Sequence, residues 1–236
     1  MTRLAAVACV AGALAGIAGS SGCSGDLIRL GNGPAGSDAG GCPHAQVSAS
    51  QVLWIGDSWV LVPGNQHTEV RDLARASDAI GPNDDYTIGA VAATTMAQIA
   101  GQYASQEATA TKVKVLIMDG GTWDTITANG STASVNSSAA GFSQLLATVA
   151  ADGTVTHIIY YLMPELPTIP GVAALRPPLE QSCAQSAVPC HFLDLQPLWA
   201  GHPEYTGADG LVPSSAGGTV LADAIWAIMQ TNCIGQ

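Results

Sequence analysis

Five short apolar runs, at residues 51–55, 86–88, 113–118, 157–162 and 191–195, alternate along this chain with longer stretches of helical periodicity. That alternation constrains the fold more than any other feature. The helical spacing recurs over roughly 69–80, 94–103, 139–150, 178–186 and 215–230. The fourth of these is entered through Pro177 and Pro178, and Ser214 or Ser215 supplies an N-cap for the last. The strand runs are nearly continuous in Val, Ile, Leu, Trp and Tyr, as strands buried on both faces require. Strands separated by helices pair in parallel. The expected fold is therefore α/β, a three-layer sandwich: a five-stranded parallel sheet with helices on both faces. Trp54 and Trp226 fall at core positions of that arrangement. Two long segments, 120–136 and 164–176, separate strands from the helices that follow them.

The 236 residues suffice for one domain, 49–236, behind an N-terminal extension. Only 7 Lys and Arg stand against 18 Asp and Glu, with no basic cluster, so a phosphate backbone is repelled and nucleic-acid binding is excluded. Residues 1–22 read as an export signal: Arg3 provides the charge, and 4–18 is an Ala/Gly-rich apolar stretch too short for a comfortable membrane span. Ser20-Ser21-Gly22-Cys23 resembles a bacterial lipobox, with Ser20 where Leu is usual, and a lipid on Cys23 would tether the protein to a membrane. Ordinary secretion with cleavage near Ala18 or Ser20 is the alternative. Residues 23–48, rich in Gly, Ser, Asn and Asp, form a flexible tether. Location is thus the bacterial cell envelope, as a lipoprotein, or the extracellular space.

Cys9 leaves with the signal. If Cys23 carries lipid, Cys42, Cys183, Cys190 and Cys233 can pair evenly in an oxidising compartment. Cys183–Cys190 would close a small loop, and Cys42–Cys233 would tie the start of the domain to its last helix; four cysteines allow three connectivities. No Cys-x-x-Cys or clustered His spacing suggests zinc, and no cofactor is implied.

The run Val52-Leu53-Trp54-Ile55 stops at Gly56-Asp57-Ser58. A serine hydroxyl therefore stands at the C-terminal edge of the first strand, where open α/β sheets bind ligands, and Ser58 is a candidate nucleophile. A serine in that place can also do no more than N-cap the following helix.

With this order of elements and that tripeptide, the chain from about residue 51 onward resembles the SGNH (GDSL) hydrolases. These are ester hydrolases named for a nucleophilic Ser, Gly and Asn oxyanion donors, and a His base. The resemblance makes Ser58 the nucleophile and its N–H the first oxyanion donor. The second block is Ile88-Gly89-Ala90-Val91-Ala92-Ala93, and the family's glycine falls on Ala92, whose backbone N–H still serves unless the position needs positive φ. Gly121-Thr122-Trp123-Asp124 matches Gly-x-Asn-Asp, so Trp123 replaces the amide donor, a group worth about 2.7–4 kcal/mol in the transition state. Asp209-Gly210-Leu211-Val212-Pro213 matches Asp-x-x-His-Pro. Asp209 is the residue that orients the base, and Val212 stands where the base belongs. Losing a triad member leaves a residual ~10³–10⁴-fold advantage over water.

Of His44, His67, His157, His191 and His202, only His202 lies on the loop that carries Asp209, and it is the candidate substitute base. A loop histidine hydrogen-bonded for structure is the competing reading. Trp59, Trp123, Asp124 and Tyr205, together with Trp199 and Glu204, fall at the same sheet edge and suit binding of a carbohydrate or aromatic ligand. Two functions remain open: an exported esterase acting on a lipid, an acylated glycan or a polyester, and a catalytically degenerate binding lipoprotein on the same scaffold.

Overall fold

A computed structural model describes residues 47–61, 66–109, 111–169 and 171–235. The expected export signal, Cys23, Cys42 and nearly all of the tether lie outside the described residues. Five strands, β1 (Val52–Ile55), β2 (Thr87–Ile88), β3 (Val115–Met118), β4 (His157–Leu162) and β5 (Cys190–Asp194), form one sheet in the order β2-β1-β3-β4-β5. Every neighbouring pair is parallel. In β1 and β3 all side chains are buried, whichever way they point, so both faces of the central sheet are covered. The expected α/β sandwich is the observed one.

The covering helices are α1 (Ser58–Leu61), α2 (Gln66–Ala76), α3 (Met96–Glu107), α4 (Thr122–Thr127), α5 (Thr132–Asp152), α6 (Val172–Ala184), α7 (Gln196–Trp199) and α8 (Ser215–Thr231). Helix α2 packs on α8, while α5 lies between α3 and α6. No helix among the described residues is long and apolar enough to cross a membrane. Ser131 caps α5 and Ser214 caps α8, their hydroxyls accepting the N–H of Ser134 and Gly217 at 3.2 Å each.

Helices α5 and α6 start earlier than expected, and α4 was not expected. Segment 120–136 holds α4 and the first turn of α5, and α6 starts at Val172, so Pro177 and Pro178 lie inside that helix. The cause is burial. Val172, Leu175, Leu179 and Cys183 form one apolar stripe facing the sheet, and packing that stripe outweighs the backbone bonds the prolines lose. Cys183 and Cys190 are joined by a disulfide that links α6 to β5, with Cα atoms 5.3 Å apart. Cys233 is disulfide-bonded as well.

The chain leaves β1 for β2 on one side and returns to β3 on the other. The crevice between the C-terminal ends of β1 and β3 is thus a topological switch point, the place where ligands bind in open α/β sheets.

Candidate active site

Ser58 stands in that crevice. Gly56, with φ +136°, turns the chain out of β1, and its peptide is clamped by one side chain of α3. Gln102 Oε1 accepts Gly56 N–H at 2.7 Å, and Gln102 Nε2 donates to the Gly56 carbonyl at 3.0 Å. Ser58 then starts α1 with its hydroxyl half-buried rather than capping the helix. The hydroxyl donates to Asp57 Oδ1 at 2.9 Å. The same carboxylate oxygen accepts the backbone N–H of Ser58 and that of Ala93, the latter at 2.8 Å.

Ala93 N–H also lies 3.3 Å from Ser58 Oγ. The backbone N–H of this segment that meets the Ser58 hydroxyl is therefore that of Ala93, one residue beyond the expected Ala92. Ala93 has φ +58°, a conformation that favours glycine. The expected and observed donors differ only in register along a loop, which a sequence pattern without a helix or strand period does not fix.

Beneath Asp57 lies Asp119, which the sequence reading missed. It follows β3, is buried, and its Oδ1 accepts Asp57 N–H at 2.6 Å. Burial raises the proton affinity of Asp57, against the hydrogen bonds that favour its charge. Burial raises that of Asp119 well above the usual carboxylate range, and the charge on Asp57 raises it further. Asp57 has the more donors aimed at it, so of the two carboxyls Asp119 is the one pushed further toward its protonated form. A carboxylate placed directly after a doubly buried strand was the available signal.

Asp124 is also raised, first by burial and last by the charge on Asp57. Its Oδ2 accepts Met96 N–H at 2.9 Å, which ties the start of α3 to α4. Trp123 is half-buried, and among the described residues its indole N–H makes no hydrogen bond. The indole does not take the place of the missing amide toward Ser58.

The loop of the fourth block is organised without an imidazole. Asp209 Oδ1 accepts the N–H of Leu211 at 2.9 Å and of Val212 at 3.3 Å, so the carboxylate caps its own turn. His202 Nδ1 is bonded to Glu204 Oε1 at 2.9 Å, and its ring stacks on Tyr205 at 4.5 Å. Among the described residues no hydrogen bond joins His202 or Asp209 to Ser58. The expected Ser58–His202–Asp209 triad is not assembled, because the turn 201–205 points the imidazole at its own glutamate. That hydrogen bond holds the Glu204 carboxyl below its usual range.

Aromatic side chains gather at this edge. Trp59 and Trp199 lie 5.7 Å apart, Trp199 meets Tyr205 edge-on at 5.6 Å, and Tyr205 carries His202. Trp59 Nε1 donates to the Leu211 carbonyl at 3.0 Å, which fastens the fourth-block loop beside α1. An open cavity of 430 Å³ lies past Trp199, lined also by Glu165, Thr168, Gln196, His202 and Thr206. Among the described residues no group of three or more His, Cys, Asp or Glu side chains is arranged to hold a metal ion.

This architecture has known counterparts. A family 3 carbohydrate esterase from Clostridium thermocellum superposes with a TM-score of 0.58 at 19% identity, over 76% of this chain and 98% of its own. A GDSL-like protein from Parabacteroides merdae gives 0.62 at 14% identity, over 80% and 99%. The fold is SGNH hydrolase-like. A carbohydrate esterase family 3 structure from Talaromyces cellulolyticus gives 0.61 at 18% identity, over 75% and 95%. At the level of sequence, no family model and no curated protein matches the chain.

Proposed function

We propose that this chain is an exported ester hydrolase of the SGNH type with Ser58 as its nucleophile, and that its substrate is an acylated glycan, a lipid ester or a polyester. One observation carries the reading: Ser58 Oγ stands at the switch point with Ala93 N–H 3.3 Å away and the Ser58 N–H beside it. A hydroxyl flanked by two convergent backbone donors is the arrangement acyl transfer requires. Attack on an ester carbonyl by Oγ would place the new oxyanion against these N–H groups, and hydrolysis of the acyl-serine would complete the turnover. Trp59, Trp199 and Tyr205 supply aromatic faces beside the nucleophile, and the activities named for two similar structures favour the glycan ester among the three substrates. Export is supported by Arg3 and the apolar stretch 4–18, and by the oxidised Cys183–Cys190 pair. Lipid on Cys23 would be read by mass spectrometry of the membrane fraction; an unmodified mature N-terminus refutes it.

A specific observation favours a second reading, a binding protein on a decayed catalytic scaffold. Both oxyanion donors are already satisfied by Asp57 Oδ1, and Val212 provides no base. One comparison separates the two. The purified chain and its Ser58→Ala variant are given p-nitrophenyl acetate and butyrate and, separately, a fluorophosphonate. The hydrolase reading expects turnover and a phosphonylated Ser58 in the first protein only. Equal turnover in both, or no adduct, supports the binding protein instead.

A further inference from the structure

We propose that Asp57 accepts the proton of the Ser58 hydroxyl during attack, and that this transfer releases the two backbone donors to the oxyanion. The inference rests on Ser58 being the nucleophile and supplies the base that Val212 cannot. Among the described residues, Asp57 is the one side chain hydrogen-bonded to Ser58 Oγ, at 2.9 Å, a separation that permits direct proton transfer.

The surroundings suit Asp57 to the task. It is 5% exposed, and no Lys, Arg or His among the described residues pairs with it. The ionisable groups facing it are Asp119 below, Asp124 from α4, and the phenols of Tyr160 and Tyr161. Burial holds both phenols neutral, so nothing cationic stabilises the Asp57 charge. Only hydrogen-bond donors do so: the Ser58 hydroxyl and the N–H groups of Ser58, Ala93 and Thr94. Burial makes this carboxylate a stronger base and the donors make it a weaker one; burial is the larger effect, so its proton affinity stands above the ordinary value.

The proton inventory closes. As Oγ bonds to the ester carbon, the O–H bond breaks, the proton moves to Asp57 Oδ1, and the carbonyl electrons become the oxyanion. A neutral carboxyl oxygen accepts hydrogen bonds about half as strongly as a carboxylate. The N–H groups of Ser58 and Ala93 therefore exchange Asp57 for the oxyanion at the moment it forms. Collapse breaks the bond to the alcohol, which leaves with the proton from Asp57. Water then attacks the acyl-serine, gives a proton to Asp57, and that proton returns to Oγ as the acyl group departs. On this account, the occupancy of the donors by Asp57 in the free protein is the resting state of a competent site.

The test is kcat/KM for p-nitrophenyl acetate against pH, measured on the full chain and on Asp57→Asn and His202→Gln, with Ser58→Ala as reference. The wild-type rate is expected to rise through a single ionisation displaced upward from the ordinary carboxylate value. Asp57→Asn keeps the acceptor oxygen but cannot take a proton; it is expected to lose ~10²-fold or more, mostly in kcat, and to lose that inflection. A folded Asp57→Asn within threefold of wild type, or one that keeps the same inflection, overturns the inference while Ser58 stands as nucleophile. If Asp57→Asn does not fold, the wild-type profile decides: an inflection that disappears in His202→Gln overturns it. Ser58→Ala turning over like wild type removes the nucleophile, and the inference with it.

Discussion

Gly56→Ala tests whether the hinge under Ser58 is as tightly built as its geometry implies. At φ +136° a residue with a Cβ costs about 1–3 kcal/mol. A Cβ there would also stand 1.9 Å from Asp119 Oδ1 and 3.0 Å from Val60 Cγ2, so the buried Asp119 carboxyl must move. Moving it strands the Asp57 N–H, now bonded to Asp119 at 2.6 Å, and an unsatisfied buried donor costs about 1–3 kcal/mol. The sum is about 4 kcal/mol, and at ~2–4 °C per kcal/mol for a domain of this size, Tm falls by about 8–16 °C. Thermal unfolding followed by circular dichroism reads this directly. Gly101→Ala is the matched control, since a Cβ on that exposed turn of α3 meets nothing within 4 Å. It is expected to raise stability by about 0.5–1 kcal/mol. A Gly56→Ala protein within about 3 °C of wild type, or a Gly101→Ala protein that falls equally, refutes the steric argument.

Replacing Cys183 and Cys190 together by serine opens a loop of sequence separation 7 and is expected to lower stability by about 2.5 kcal/mol in chemical denaturation; an unchanged midpoint refutes it. His157 and His191 stack at 5.6 Å on adjacent strands, and burial lowers the proton affinity of each below the ordinary 6.5, with the charge of His157 lowering His191 further. Below pH 6.5 the unfolded chain then binds more protons than the folded one, so stability falls as pH drops from that value. The Tm of wild type is expected to fall more steeply between pH 6.5 and 5 than that of His157→Gln, and parallel slopes exclude the pair as the cause. Val212→His returns an imidazole to the loop where Asp209 Oδ1 already reaches residue 212, and kcat/KM for p-nitrophenyl acetate is expected to rise ~10²-fold; no gain means that this loop does not bring position 212 to Ser58.

The strands were legible because double burial writes itself as unbroken apolar runs, and β4 matches its expected span at both ends. The helices were legible wherever an apolar stripe repeats. The start of α5 was hidden because its buried face there includes Ser134 and Ser138, whose hydroxyls are satisfied inside the helix by the carbonyls of Ser131 and Ser134. Polar letters on a buried face carry no hydrophobic period. At the site, the strand ends placed Ser58, Trp59 and Asp124 at the correct edge. Loop detail was not legible. Ala93 rather than Ala92 turns its N–H to Ser58 through a single positive φ, and His202 is aimed by a hydrogen bond two residues along its own turn. Such choices are made by short-range geometry that leaves no periodic trace.

What the scaffold requires and what only chemistry requires separate at adjacent residues. Gly56 belongs to a buried network through Gln102 and Thr94, so folding alone accounts for it, while Asp57, bonded to Asp119 in the same network, serves the fold and the proposed proton transfer together. Val212 sits on an exposed turn whose hydrogen bonds to Asp209 and Gly207 use only its backbone, and any side chain but that of proline leaves them intact. Ser58 is the informative case. Its hydroxyl is half-buried and donates to an Asp57 oxygen that keeps two backbone donors without it. Ser58→Ala therefore removes two hydrogen bonds, the second a long one whose donor, Ala93 N–H, stays bonded to Asp57, and strands no group, an effect of about 1 kcal/mol. On the same scale Gly56→Ala removes about four times as much. A Tm for Ser58→Ala within ~4 °C of wild type, beside total loss of turnover, would show that the serine is in the site for its chemistry. A loss of stability as large as that of Gly56→Ala would show that Ser58, too, is explained by the fold, and the argument for a nucleophile would have to stand on the fluorophosphonate adduct alone.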